Sequence, residues 1–281
     1  MKRIVLSRKG FDSKFGEKAS PIFKDNKIFS LPIPQKVESP TKYGDLHSNG
    51  ITGIEALREA SVKTVNENDF CHYDPALNEE IGIFGQQGPA QGHLRNNEVD
   101  IGDLFLFFGW FKQYSSRGQK KLLHRDGLHH IFGWLQISEI VSENENIKEY
   151  LESKNIEHPH GYGDVSRYKQ NTLYISTQDL KIGNQTTNLK GHGVFKYSTD
   201  DLILSSPEHS SKSMWKLPKE YFKGFSSPSK YPDKFFNRSF ATDKRNFLVN
   251  TDSGPWQEAV LDSANNPKVI DWALKLISEH G

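Results

Sequence analysis

The chain has 281 residues and a mass of 32.1 kDa, long enough to bury roughly three quarters of its unfolded surface. Lys and Arg total 36 against 35 Asp and Glu, a net charge of +1, with 25% charged and 12% aromatic residues, which excludes disorder, collagen and coiled coil as whole-chain readings. The near-neutral balance also argues against a basic DNA-coating protein, so any nucleic-acid contact has to come from a local patch.

The 22 Gly and 13 Pro suit turns and short strands more than a helical bundle. The expected class is α+β, one domain over 1–281, with motif-bearing loops in 1–100, a central sheet in 101–205 and an excursion plus terminal helix in 206–281. A single cysteine, Cys71, cannot form an intramolecular disulfide, which points to a reducing interior and a cytoplasmic location. The opening Met-Lys-Arg-Ile-Val-Leu-Ser is too briefly apolar for a signal peptide. No run approaches the roughly 18 apolar residues of a membrane helix, so no membrane partner is expected.

In chain order, Ile4-Val5-Leu6 forms an opening strand that ends in the polar cluster Ser7-Arg8-Lys9-Gly10-Phe11-Asp12-Ser13. Two apolar runs, 21–23 and 27–32, are separated by Lys24-Asp25-Asn26 as in a hairpin. Ile54, Leu57, Ala60 and Ser61 fall at helical spacing. Residues 69–94 concentrate Gly, Pro, His, Gln and Asp and read as an ordered functional loop. The clearest strands are 104–111 and 130–140, joined by a basic segment over 112–126. A helix is expected near 145–152, then shorter strands at 173–176, 193–197 and 202–204, and a long meander over 205–246. Asn266 and Pro267 open a final helix whose apolar face is Val269, Ile270, Ala273, Leu274 and Ile277.

His72-x-Asp74 places an imidazole and a carboxylate on one side of an extended segment, a spacing suited to metal ligation or to an oriented histidine base. With His93, these residues form a candidate two-histidine, one-carboxylate set for a divalent metal; the competing reading is a turn at Asp74-Pro75 with His72 bonded to a carbonyl. Gln86, Gln87 and Gln91 carry amides able to read a base edge, or to support the loop. Arg8 is a candidate phosphate fork and Asp12 a base or metal ligand, whereas Lys9 reads better as a surface ion pair. His158-Pro159-His160 puts two imidazoles on one side of an extended tripeptide, a ligand pair or substrate contact.

Lys112, Arg117, Lys120, Lys121, His124 and Arg125 form the one basic segment with an aromatic residue, Tyr114, inside it, the expected phosphate-backbone contact, read otherwise as a solvated connection. Trp256-Gln257-Glu258 adds a candidate carboxylate, read otherwise as a strand-end surface residue. Cys71 is a candidate nucleophile without an evident base. P-loop, Rossmann, zincin, serine-hydrolase and C-x-x-C motifs are absent from the sequence, and the matching enzyme classes lose their anchors.

Gly102-Asp103 followed by the aromatic run 104–111, and Ile131-Phe132-Gly133-Trp134 in the return strand, resemble the PUA-like barrels, the ASCH and EVE groups among them. That resemblance implies a curved, mostly antiparallel sheet with peripheral helices that holds a nucleobase. Trp110 and Trp134, each after a glycine, are then candidate stacking platforms. Over nearly the whole chain, the ordered motifs around Arg8 to Ser13, Ser20-Pro21-Ile22, Ser30 to Pro34, His72-Tyr73-Asp74-Pro75, Phe84-Gly85-Gln86, Ala90-Gln91-Gly92-His93-Leu94 and Gly102 to Phe111 are similar to the third of the nucleotide-modification-associated domains.

This resemblance implies association with hypermodified DNA bases, often in phage or mobile-element settings, and DNA or a nucleotide as partner. Pro89 before Ala90-Gln91 departs from the small residue expected there and stiffens the loop. The expected site has Asp12, His72, Asp74 and His93 as catalytic groups, the last three also as metal ligands. Arg8, Gln86, Gln91, Trp110, Trp134, His158 and His160 are expected to bind substrate. The alternatives are a non-catalytic PUA-like base reader and a metal-dependent nuclease using Asp12 and Asp74. Every version requires the tip of the opening strand, the His-Asp step and the glutamine-rich bend to share one cavity.

Overall fold

A computed structural model describes residues 1–114, 127–222, 236–242, 244–251 and 258–281. The basic residues Arg117, Lys120, Lys121, His124 and Arg125, and Trp256 and Gln257, lie outside these described residues.

In the first third, β1 is Arg3–Arg8, β2 Ser20–Ile22, β3 Thr41–Lys42, β4 His47–Ser48 and β5 Ile51–Thr52, followed by helix α1, Gly53–Glu59. The Thr52 hydroxyl accepts the N–H of Glu55, and the Glu55 carboxylate accepts the N–H of Thr52, a reciprocal cap that sets the start of α1. Strands β6 (Phe70–Cys71), β7 (Ala76–Leu77) and β8 (Gly82–Gln86) and helix α2 (Gly88–Asn96) follow. The segment 69–94, expected as a loop, therefore holds three strands and a helix.

The main sheet is then built from β9 (Leu104–Gln113) and β10 (Leu128–Ser142), helix α3 (Asn144–Lys154) and β11 (Thr172–Ser176). The hairpin β12 (Asp179–Ile182) and β13 (Gln185–Lys190) had no counterpart in the sequence reading; β14 (His192–Val194) returns to the sheet. The expected strand at 202–204 is instead a 3-10 turn over Asp200–Leu202. Within and just past the expected meander, β15 (Met214–Pro218), β16 (Phe236–Thr242) and β17 (Asn246–Thr251) make a small sheet in the order β15-β17-β16. The chain ends in β18 (Glu258–Asp262) and α4 (Val269–His280), whose first residue is two positions beyond Pro267.

The large sheet runs β18-β1-β9-β10-β11-β8-β7, with β14 beside β10 and β2 beside β9. The pairings of β1 and β2 with β9 are parallel and the others antiparallel. It is a mixed sheet in an α+β fold, and its described strands do not close into a barrel. Of the PUA-like expectation, the structure contains the antiparallel β9–β10 pair with its register shift between Ile131 and Gly133. A Cβ on Gly133 would meet the Gly193 carbonyl at 2.8 Å, so the glycine there serves a close backbone approach.

Ile4 to Leu6 and Leu104 to Phe108 are fully buried, which is why β1 and β9 read as unbroken apolar runs: central strands are covered on both faces. Trp272, Ala273, Leu276 and Ile277 of α4 join this core. A second cluster, with Phe11, Phe29, Leu31, Tyr43, Leu57 and Cys71, forms beside α1. The segment from Cys71 to β8 leads out of that second core and onto the main sheet, and Asp74 lies on the way.

Candidate functional site

A cleft of about 650 Å³ lies between the end of β1, the segment following Cys71 and the end of β8. Arg8 to Phe15 form one wall, His72 and Asp74 a second, and Gly85, Gln86 and Gln87 a third. The three segments that the sequence reading required to meet do share this concavity.

Asp74 is its polar centre. The Gly85 N–H donates to Asp74 Oδ1 at 2.8 Å, and His158 Nε2 faces the same oxygen at 3.4 Å. The other oxygen, Oδ2, faces His160 Nε2 at 3.8 Å and His72 Nε2 at 3.9 Å. One donor atom from each of His72, Asp74 and His160 lies within 4.8 Å of the others, an arrangement able to hold a metal ion. The third member of that group is His160, where the sequence reading placed His93.

Each imidazole is oriented from behind. His72 Nδ1 lies 3.0 Å from Gln35 Oε1 and His160 Nδ1 lies 2.6 Å from Asn171 Oδ1. Gly85 makes room for this packing, because a Cβ there would sit 2.3 Å from the His160 ring.

Burial lowers the His72 pKa to about 4 and that of His160 to about 3, with Asp74 opposing the shift in both. For Asp74 burial disfavours the charge, but the close approach of His158 and the other imidazoles prevails and holds it below the usual carboxylate range. Near neutrality His72 and His160 are therefore neutral imidazoles beside an ionised Asp74.

Lys9 is not a surface pair. Its Nζ lies 3.2 Å from the carboxylate of Glu258, and the two side chains are 10% and 1% exposed. Gln86 Nε2 donates to the same Glu258 oxygen, so the end of β18, read as a surface position, is tied to the cleft floor. Arg8 lines the cleft with Lys14 and Lys212, giving it a positive rim. Lys212 Nζ sits 4.4 Å above the Trp110 ring, which also lines the cleft.

Asp12 borders the cleft, but its Oδ1 accepts the N–H groups of Lys14 and Phe15 at 2.7 and 2.6 Å, holding a turn. Gln91 is buried on α2 and its Oε1 accepts the Tyr174 hydroxyl at 2.9 Å. His93, on the same helix, has Nδ1 3.4 Å from Asn97 and lies outside the Asp74 cluster. Trp134 is buried against Phe195, with its indole N–H donated to the Lys190 carbonyl at 3.0 Å; it borders a different concavity. α2 turns Gln91 and His93 away, and the alternation of β10 turns Trp134 inward.

Cys71 is fully buried and burial pushes its thiol up to about 12, so it is no nucleophile at neutral pH. The sequence reading missed Gln35, Asn171, Lys212 and His129 as parts of the site or its support; none carries a local motif, and each is brought in by distant chain segments.

Among the described residues no helix is long and apolar enough to cross a membrane. Neither a curated protein nor a solved structure matches the chain. The sequence profile of nucleotide modification associated domain 3 matches residues 3–261. The chain with this cleft belongs to the nucleotide modification associated domain 3 family.

Proposed function

We propose that the chain modifies a nucleobase in DNA, with a single extruded nucleotide seated in the Asp74 cleft. The observation that carries this reading is the convergence of three distant segments on one cleft of about 650 Å³, a size usual for small-molecule and nucleotide sites. An extruded base needs an aromatic face, edge-reading amides and a phosphate contact. Trp110 offers the face, Gln87 the amide at the cleft surface and Arg8 with Lys212 the positive rim. Gln86 is engaged with Glu258 and Gln91 with Tyr174, so Gln87 takes the reading role expected of them. His72 and Asp74 supply the reacting end, as proton carriers or metal ligands.

The test incubates the full chain with modified and unmodified DNA, with and without divalent metal, and identifies nucleosides by mass spectrometry. An altered base supports the proposal. Strand scission replaces it with a nuclease, intact DNA with retained binding replaces it with a base reader built on Trp110, and no binding of DNA or nucleotide removes all three.

A further inference from the structure

We propose that His72, Asp74 and His160 form a mononuclear site for a first-row divalent transition metal, with its open face toward the cleft. An amide oxygen only accepts hydrogen bonds, so an imidazole Nδ1 against one must carry the proton, and its Nε2 then presents a lone pair.

The orientations of both amides are independently fixed. Asn171 Nδ2 donates to Asn144 Oδ1 and to the His160 carbonyl, each at 2.8 Å, which turns Asn171 Oδ1 toward the His160 ring. Gln35 Nε2 donates to the Glu38 carbonyl at 3.4 Å, which turns its Oε1 toward His72. Two imidazole lone pairs thus converge on Asp74 Oδ2 at 3.9 and 3.8 Å, with neither ring nitrogen able to donate. A cation at that point turns mutual repulsion into coordination.

His158 has the opposite tautomer. Its Nδ1 faces the His160 N–H at 3.3 Å and accepts from it, so its Nε2 carries hydrogen toward Asp74 Oδ1. His158 is therefore a positioning residue that, with the Gly85 N–H, holds one carboxylate oxygen and leaves the other for the metal. Amide partners behind two histidines and donors behind a carboxylate are the supporting shell that metal sites use.

Two donors each about 2.1 Å from an ion stand roughly 3.0 to 3.4 Å apart at octahedral or tetrahedral angles, so uptake shortens the two histidine–Asp74 separations, 3.8 and 3.9 Å, by roughly 0.4 to 0.9 Å. Two histidines and one carboxylate on one side of the ion leave coordination positions free, and all three residues line the cleft. The inference deepens the reading of this cleft as the reaction site, but its test reads metal binding alone.

The full chain, stripped with a chelator, is titrated with Co(II), Zn(II) and, under argon, Fe(II), using calorimetry and, for Co(II), visible absorption. One equivalent per chain is expected. Affinity is expected to fall at least tenfold in His72→Asn and in Asp74→Asn and to be retained in His93→Ala. Gln35→Leu keeps all three ligands but frees the His72 ring, and a loss of about 10- to 100-fold is expected.

Absence of saturable uptake by the native chain overturns the proposal, as does uptake indifferent to His72→Asn. His72 is half-buried, so this variant decides the matter if a substitution at buried His160 fails to fold. Oligonucleotide retention without metal uptake removes the metal and leaves the cleft reading standing; metal uptake without DNA or nucleotide binding does the reverse.

Discussion

Two groups of histidines in this molecule differ in kind. On β10, His129 Nδ1 accepts the Trp215 indole N–H at 2.9 Å, while His130 contacts the Ile131 carbonyl at 2.6 Å and Ser198 Oγ at 3.0 Å. No carboxylate is recorded against either ring among the described residues. Around Asp74, by contrast, three imidazoles surround one carboxylate, although His129 and this cluster line the same cleft. Burial lowers the pKa to about 3 for His129 and about 4 for His130, much as it does for His72 and His160. Burial and a displaced pKa therefore do not separate a reactive histidine from a packed one. The convergence of lone pairs on a charged oxygen does.

The largest effect that probes this comparison is acid destabilisation. The folded histidines resist protonation while the unfolded chain takes protons up near pH 6.5, so their contribution is intact above that value and declines as pH falls toward about 4. Each such group removes about 1.4 kcal/mol per pH unit across that window. Urea unfolding at a series of pH values is expected to show a steep fall below pH 6.5 that His130→Gln makes shallower; a flat profile would contradict the assignment of neutral buried rings.

The next effect distinguishes the two groups directly. Metal at a hundredfold excess over its dissociation constant is expected to stabilise the native chain by about 2.7 kcal/mol. Thermal melts should show this rise in the native chain and in His130→Gln, and lose it in Asp74→Asn. Smaller is Gly85→Ala, whose new Cβ displaces the His160 ring; a cost of about 1 to 3 kcal/mol together with loss of the metal response is expected, and a variant with normal stability and response would show the packing to be incidental. Smallest is His93→Ala, expected to leave metal affinity within about twofold because α2 keeps it outside the cluster; a tenfold loss by calorimetry would restore His93 to the site.

Much of the frame was legible because its elements announce themselves locally. β1 and β9 are continuous apolar runs, α1 shows Ile54 and Leu57 at helical spacing, and α4 presents Val269, Ala273 and Ile277 at helical spacing. Helix α2 was not legible: Gly88, Pro89 and Gly92 are poor helix formers, and the helix is held instead by Leu94 in the core and by the Gly88 N–H donated to the Lys169 carbonyl. That miss also misplaced His93 and Gln91, since reading 69–94 as one loop put them beside His72. The pair His158 and His160 was visible as a pair, but its carboxylate partner lies far earlier in the chain.

The amino-acid sequence alone determined the α+β class, the family and the chemical character of the His72–Asp74 step, because residue type, local periodicity and motif order need no long-range contact. Which histidine completes the cluster, that Lys9 and Glu258 meet beneath the cleft and that Trp134 faces inward were decided only by tertiary structure. Strand order across the sheet and the reversal from β8 into α2 set those distances, and neither leaves a mark in the spacing of residues along the chain.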